Sequence, residues 1–133
     1  MNVMRDAILN KYSFLKYYYT NLFLLSTDDA TVGAFYKPLF FEFPNDLNAY
    51  KVDPSENVML GSALKLSVRT SPINGTNFTD SYNLYYFPQG NWCDLLSPDS
   101  VCVYAKNAGK MELLPSGLSD VQVHLRDGYI VPM

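Results

Sequence analysis

At 133 residues, with 48% hydrophobic and 15% aromatic side chains, the chain is long enough to bury a core and too aromatic to be disordered. Its net charge is −3 and its ten Lys and Arg are scattered, so it offers no basic field to a phosphate backbone, which argues against nucleic acid as a partner. The opening "MNVMRDAILNKYSFLKYYYTNLFLLS" has polar interruptions in every apolar run, which excludes both a signal peptide and a membrane span, so any export signal is expected outside this chain.

Within residues 3–26, Met4, Ile8, Tyr12, Leu15, Tyr19, Leu22 and Phe23 recur at steps of three and four, which predicts one helix with a broad apolar face. Tyr18, Leu24 and Leu25 widen that face, so the helix requires cover from more protein than one sheet edge, and the "YYY" run reads as packing.

The polar turn "STDDATVG" leads into "PLFFEF", whose near-continuous apolar character predicts a parallel strand buried on both faces. A helix, a turn and such a strand form an αβ unit, whose partner strand is expected before residue 1. Glu42 is the carboxylate inside this strand, and Asp46 and Asp53 follow it. At the end of a barrel strand Glu42 could serve as a catalytic acid. It could equally accept backbone N–H groups or pair with a buried Arg, and the structural reading leads.

From about residue 56 the texture becomes short β runs separated by Asn, Gly, Pro and Ser: "NVMLGSALKLSVRT", "SYNLYYFP", "GNWCDLL", "VCVYAK", "MELLP" and "VQVHLRDGYIVPM". This is the pattern of an antiparallel sandwich or barrel. "NGT" at Asn74 and "NFT" at Asn77 are acceptor sequons for N-glycosylation in one polar loop. Cys93 and Cys102 flank a Ser-Pro-Asp-Ser turn that would bring them together across a hairpin; with the sequons, this favours a disulfide over two free thiols and a secretory compartment. In the last run Val121, Val123 and Leu125 alternate with Gln122, His124 and Arg126, which places the single histidine, His124, on a wet face.

The chain carries no nucleophile elbow or phosphate-binding glycine loop, and one histidine supplies neither a zinc site nor a triad with any redundancy. No cofactor or metal is implied. Carboxylates remain, of which Glu42 with Asp46 or Asp53 is the candidate group.

The series "KYSFLKYYYTNLF", "KPLFFEFPNDLNAYKVD", "VMLGSALKLS", "YYFPQGNWCDLL" and "MELLPSGLSDVQVHLRDGYIVP" resembles, in order and spacing through nearly the whole chain, the late part of glycoside hydrolase family 31, the α-glucosidase family. The resemblance implies a mainly β fold. Residues 1–45 would be the last helix and strand of a (β/α)8 catalytic barrel, and residues 46–133 a proximal C-terminal antiparallel β-sandwich, together an incomplete fragment. The family's retaining mechanism uses an attacking Asp and a proton-donating Asp in motifs that precede the matched region, so no catalytic residue is expected in this chain. Glu42 and Lys37 match framework positions. The implied partner is an α-linked glucoside or oligosaccharide substrate of the full-length parent, and the implied location is the secretory pathway, secreted or lysosomal.

Several positions depart from the family pattern: Lys37 stands where Arg is usual, "DPSENVMLG" is longer, no Pro follows Ser67, and Asp127 occupies a usual Gly. The competing reading is a non-catalytic carbohydrate-binding or interaction module, with Tyr85, Tyr86, Trp92 or Tyr104 as sugar-stacking platforms.

Overall fold

The structure, a computed structural model, describes residues 2–27, 33–70, 82–96, 101–117 and 119–133. Helices α1 (Asn2–Ser13) and α2 (Leu15–Ser26) are followed by strand β1 (Tyr36–Pro38) and a one-turn helix α3 (Leu39–Glu42). Seven more strands complete the fold: β2 (Asn57–Leu60), β3 (Leu64–Ser67), β4 (Tyr82–Phe87), β5 (Gly90–Asp94), β6 (Cys102–Ala105), β7 (Lys110–Pro115) and β8 (Gln122–Arg126).

Six strands form an antiparallel sheet in the order β1-β2-β3-β8-β5-β6, and β4 pairs with β7 in a separate two-stranded ribbon. Side-chain alternation sorts the sheet's two faces. Met59, Trp92 and Val103 point to the ribbon and pack on Tyr85, Phe87 and Leu114. Leu64 and Val123 point the other way and pack on Phe14 and Tyr17 of the helical layer. The sheet is therefore a middle layer, dry on both sides. Register carries one ribbon-facing row across five strands: Lys37, Met59, Lys65, His124 and Asp94.

This layering corrects the expectation for the last run. Gln122 is 8% and His124 1% exposed, because β8 sits between β3 and β5 and the ribbon covers the face that alternation alone would leave wet.

The single helix expected over residues 3–26 is instead two, broken at Phe14 (φ −88°, ψ 4°). Just before the break the Ser13 hydroxyl donates to the Asn10 carbonyl at 2.6 Å, a local bond that competes with the helical ladder. The residues that dock the helices are Phe14 and Tyr17, not the expected stripe.

"PLFFEF" is not a strand. Extension ends at Pro38 (φ −66°, ψ 158°), and the Phe43 N–H donates to the Leu39 carbonyl at 2.9 Å, closing one helical turn. Leu39, Phe40 and Phe43 face the core and Phe41 is exposed; an apolar run this short does not distinguish a buried strand from a turn of helix. The strand before it, β1, pairs antiparallel with β2 (Lys37 opposite Met59) at the edge of the sheet.

Gly61 ties the helical layer to the sheet. It adopts φ +62° and donates its N–H to the Phe35 carbonyl at 2.6 Å, and a Cβ there would collide with the Tyr17 hydroxyl and lie 2.7 Å from Asn21 Oδ1. Gly61→Ala combines a left-handed conformation with that collision and is expected to destabilise the fold by about 2 kcal/mol, read from urea unfolding.

Candidate functional site

Glu42 ends α3 and lies between two cations from distant parts of the chain. Its Oε2 is 2.7 Å from Lys37 Nζ on β1, and its Oε1 accepts from Arg126 Nη1 at 3.0 Å at the end of β8. The Ser62 hydroxyl donates to Oε2 at 3.2 Å and accepts from Lys37 Nζ at 3.3 Å, closing a small network. The Arg126 guanidinium also stacks 4.5 Å from the centre of the Phe43 ring and 5.4 Å from that of Tyr129. A planar fork suits this double duty of ion pair and ring stacking. The arrangement suits a clamp across one end of the sheet.

The other two candidate carboxylates are occupied elsewhere. Asp46 accepts the Asn48 N–H at 3.0 Å and the Tyr86 hydroxyl at 2.6 Å; burial and this acidic partner push the Tyr86 phenol up to about 12. Asp53 accepts the Ser55 N–H at 2.8 Å and its hydroxyl at 2.6 Å, bonds that hold its carboxyl below the usual range. Glu42, Asp46 and Asp53 thus have separate sets of hydrogen-bond and ion-pair partners.

A cleft of about 370 Å³ beside β8 brings Asp94 and Asp120 to its wall. Both belong to turns: Asp94 Oδ1 accepts the Leu96 N–H at 2.9 Å, and Asp120 Oδ2 accepts the Gly117 N–H at 2.8 Å. Among the described residues no group of three or more His, Cys, Asp and Glu could hold a metal ion. No described helix is long and apolar enough to cross a membrane.

Of the four proposed sugar platforms, Trp92, Tyr85 and Tyr86 are buried, and the Trp92 Nε1–H donates to the Pro88 carbonyl at 2.9 Å. Tyr104 alone of the four is exposed. Cys93 and Cys102 are joined by a disulfide across the β5–β6 pair. Asn74, Asn77 and the Ser-Pro-Asp-Ser turn lie outside the described residues. Asp127 accepts the Asn91 side-chain amide at 3.1 Å, and the next residue, Gly128, takes the positive φ of 80°.

Two features escaped the sequence reading. Arg126 is the second partner of Glu42, 84 residues away, which no local signal marks. Lys65 is wholly buried, although a lysine between two leucines in "LKLS" has the pattern of a solvent-facing residue.

A C-terminal β-sandwich with its polar groups committed to bracing matches a known domain type. The sequence profile of the glycosyl hydrolase family 31 C-terminal domain covers residues 33–131. Among curated proteins, an α-glucosidase of Hordeum vulgare is 33% identical over 129 residues, covering 97% of this chain and 13% of that protein. The lysosomal α-glucosidase of Mus musculus is 31% identical over 144 residues, covering 98% of this chain and 14% of its own length. Among solved structures, a family 31 dextranase from Flavobacterium johnsoniae in complex with isomaltotriose superposes with a TM-score of 0.74 at 21% identity, covering 98% of this chain and 14% of that one. The chain belongs to glycoside hydrolase family 31 and corresponds to its C-terminal part. It spans about one seventh of the length of these relatives.

Exposure decides the strength of the Glu42 network. Glu42→Gln would leave Lys37 (7% exposed) and Arg126 (23%) without their counter-charge. The expected loss is about 2 kcal/mol, below the roughly 3–5 kcal/mol of a fully buried pair. Glu112→Gln removes a Lys110 contact of the same 2.7 Å length whose partners are 41% and 36% exposed. That change should alter stability by less than about 0.5 kcal/mol in the same urea titration.

Proposed function

We propose that this chain is the C-terminal portion of a retaining α-glucosidase. In this reading it braces the catalytic (β/α)8 barrel of a longer polypeptide, and the attacking and proton-donating aspartates belong to that barrel, outside this sequence. The helices within residues 2–26 belong in this reading to the end of that barrel, and the sandwich, which takes in β1 at Tyr36–Pro38 rather than starting at residue 46, supports it, with Glu42 and Lys37 as framework residues at the seam. The substrate of the whole protein is an α-linked glucoside or oligosaccharide, and its destination the secretory pathway, secreted or lysosomal, with Asn74 and Asn77 as glycan acceptors.

The apolar stripe of the helices carries this reading. Met4 is 76%, Tyr12 64%, Tyr19 67% and Phe23 65% exposed, while the helical layer is docked through Phe14, at the break, and Tyr17 of α2, outside that stripe. Water-facing apolar residues at helical spacing, on a layer already anchored outside the stripe, form the surface that a second body of the same protein would cover. Relatives about seven times longer than the chain supply chain enough for that body.

The test is hydrolysis of maltose and isomaltose by the longest natural product carrying this sequence, beside the 133-residue chain produced alone. Activity in the first and none in the second is expected; activity in the short chain, or none in the long product, would sink the reading. Tyr19→Glu with Phe23→Glu sharpens it. The pair should shift the short chain's unfolding by less than about 1 kcal/mol, because these side chains are mostly in water, yet should abolish folding or activity of the longer protein.

A further inference from the structure

Lys65 and His124 face each other in the β3–β8 register, beneath the ribbon. Phe87 meets both: its ring lies edge-on to the imidazole at 4.9 Å, and its centre is 4.2 Å from Lys65 Nζ. Lys65 is wholly buried and donates to neutral oxygens, Asn57 Oδ1 at 3.4 Å and Ser67 Oγ. The ion pairs among the described residues give it no carboxylate. His124 is 1% exposed, and its Nδ1 has no hydrogen-bond partner among the described residues.

The charged groups on the surrounding elements have partners of their own, and Asp94 and Asp120 share a cleft wall with His124. Arg126, further along β8, is held by Glu42, and Asp94, opposite His124 on β5, accepts the Leu96 N–H. Glu112 of β7 pairs with Lys110, Asp46 takes the Tyr86 hydroxyl, and Glu56 beside β2 accepts from Thr70. On β4 the nearest titratable group is Tyr85, its ring centre 5.9 Å from Lys65 Nζ, with its phenol raised by burial.

We propose that the Lys65–His124 pair makes this sandwich an acid-labile element, whose central strands hold firmly when both side chains are neutral and loosen as the medium acidifies. Burial pushes Lys65 down to about 7. Burial, and then the charge of Lys65, hold His124 down at about 3. The unfolded chain binds these two protons more readily, from the ordinary values of 10.5 and 6.5 downward. Stability therefore falls as pH drops from 10.5 to 7 through Lys65, and again from 6.5 to 3 through His124. Of the two destinations proposed above, this favours a neutral lumen or exterior over an acidic one. It rests on the fold and not on the enzymatic reading, and its test reads no activity.

His124 is the single histidine of the chain, so its imidazole proton resonances are unambiguous in a pH titration of the folded 133-residue protein. The expected result is no titration between about pH 8 and about pH 5. Urea midpoints should decline as pH falls over the two windows, the upper decline disappearing in Lys65→Met and the lower becoming shallower in His124→Phe, with the remaining part coming from the paired carboxylates. An imidazole titrating near its ordinary 6.5, or variants whose midpoints follow the wild-type curve, would overturn the proposal. If either variant fails to fold, the wild-type titration decides.

Discussion

The covering of the six-stranded sheet on both faces governs the rest of the molecule. Helices lie on one side and the β4–β7 ribbon on the other, so most side chains of the central strands are removed from water whatever their chemistry. For Leu64, Met59 and Trp92 that burial supplies the hydrophobic stabilisation of the core. For Lys65, His124 and Gln122 it sets a demand for hydrogen bonds. Asn57 meets part of it by joining the layers: its Oδ1 accepts the Tyr86 N–H of the ribbon at 3.1 Å as well as Lys65 Nζ. The Gln122 amide meets another by donating to the Pro115 carbonyl of β7 at 3.0 Å.

The same layering sets the surroundings of Glu42. The sheet's first strand and its fourth in spatial order are separated by three strand spacings, roughly 14 Å. Helix α3 carries Glu42 between Lys37 on the first and Arg126 at the end of the fourth.

The sequence conveyed the class of fold and the run of short strands well, because alternation and turn residues are local signals. The family resemblance conveyed the C-terminal position. What it conveyed poorly is which face meets which layer. "VQVHLR" alternates correctly, with Val123 and Leu125 on one face and His124 on the other, but alternation says only that the faces differ, not that the second is open. "PLFFEF" failed for another reason: four apolar residues fit one helical turn as well as a strand, and the preceding proline is compatible with both. The helical stripe was legible as apolar periodicity, yet periodicity cannot name the body that covers it. The residues that dock the helices, Phe14 and Tyr17, stand beside the stripe rather than in it.

The last of these mismatches bears on function. In an isolated globular domain the longest apolar stripe of a helix is the one that finds the core, since it buries the most area. Here it remains outside, and a smaller contact of two aromatic residues, with the Tyr17 hydroxyl donating to the Leu60 carbonyl at 2.7 Å, holds the helices to the sheet. Such an inversion is self-consistent where the helices serve two bodies and the larger contact belongs to the other one. The helical layer then acts as a shared wall, and the sandwich behind it fixes where that wall stands. Glu42 ties α3, and Gly61 the segment at Phe35, to the ends of the sheet's strands. Stability of the sandwich and placement of the wall are on this account a single property, so whatever loosens β3 and β8 also releases the surface on which the other body would rest.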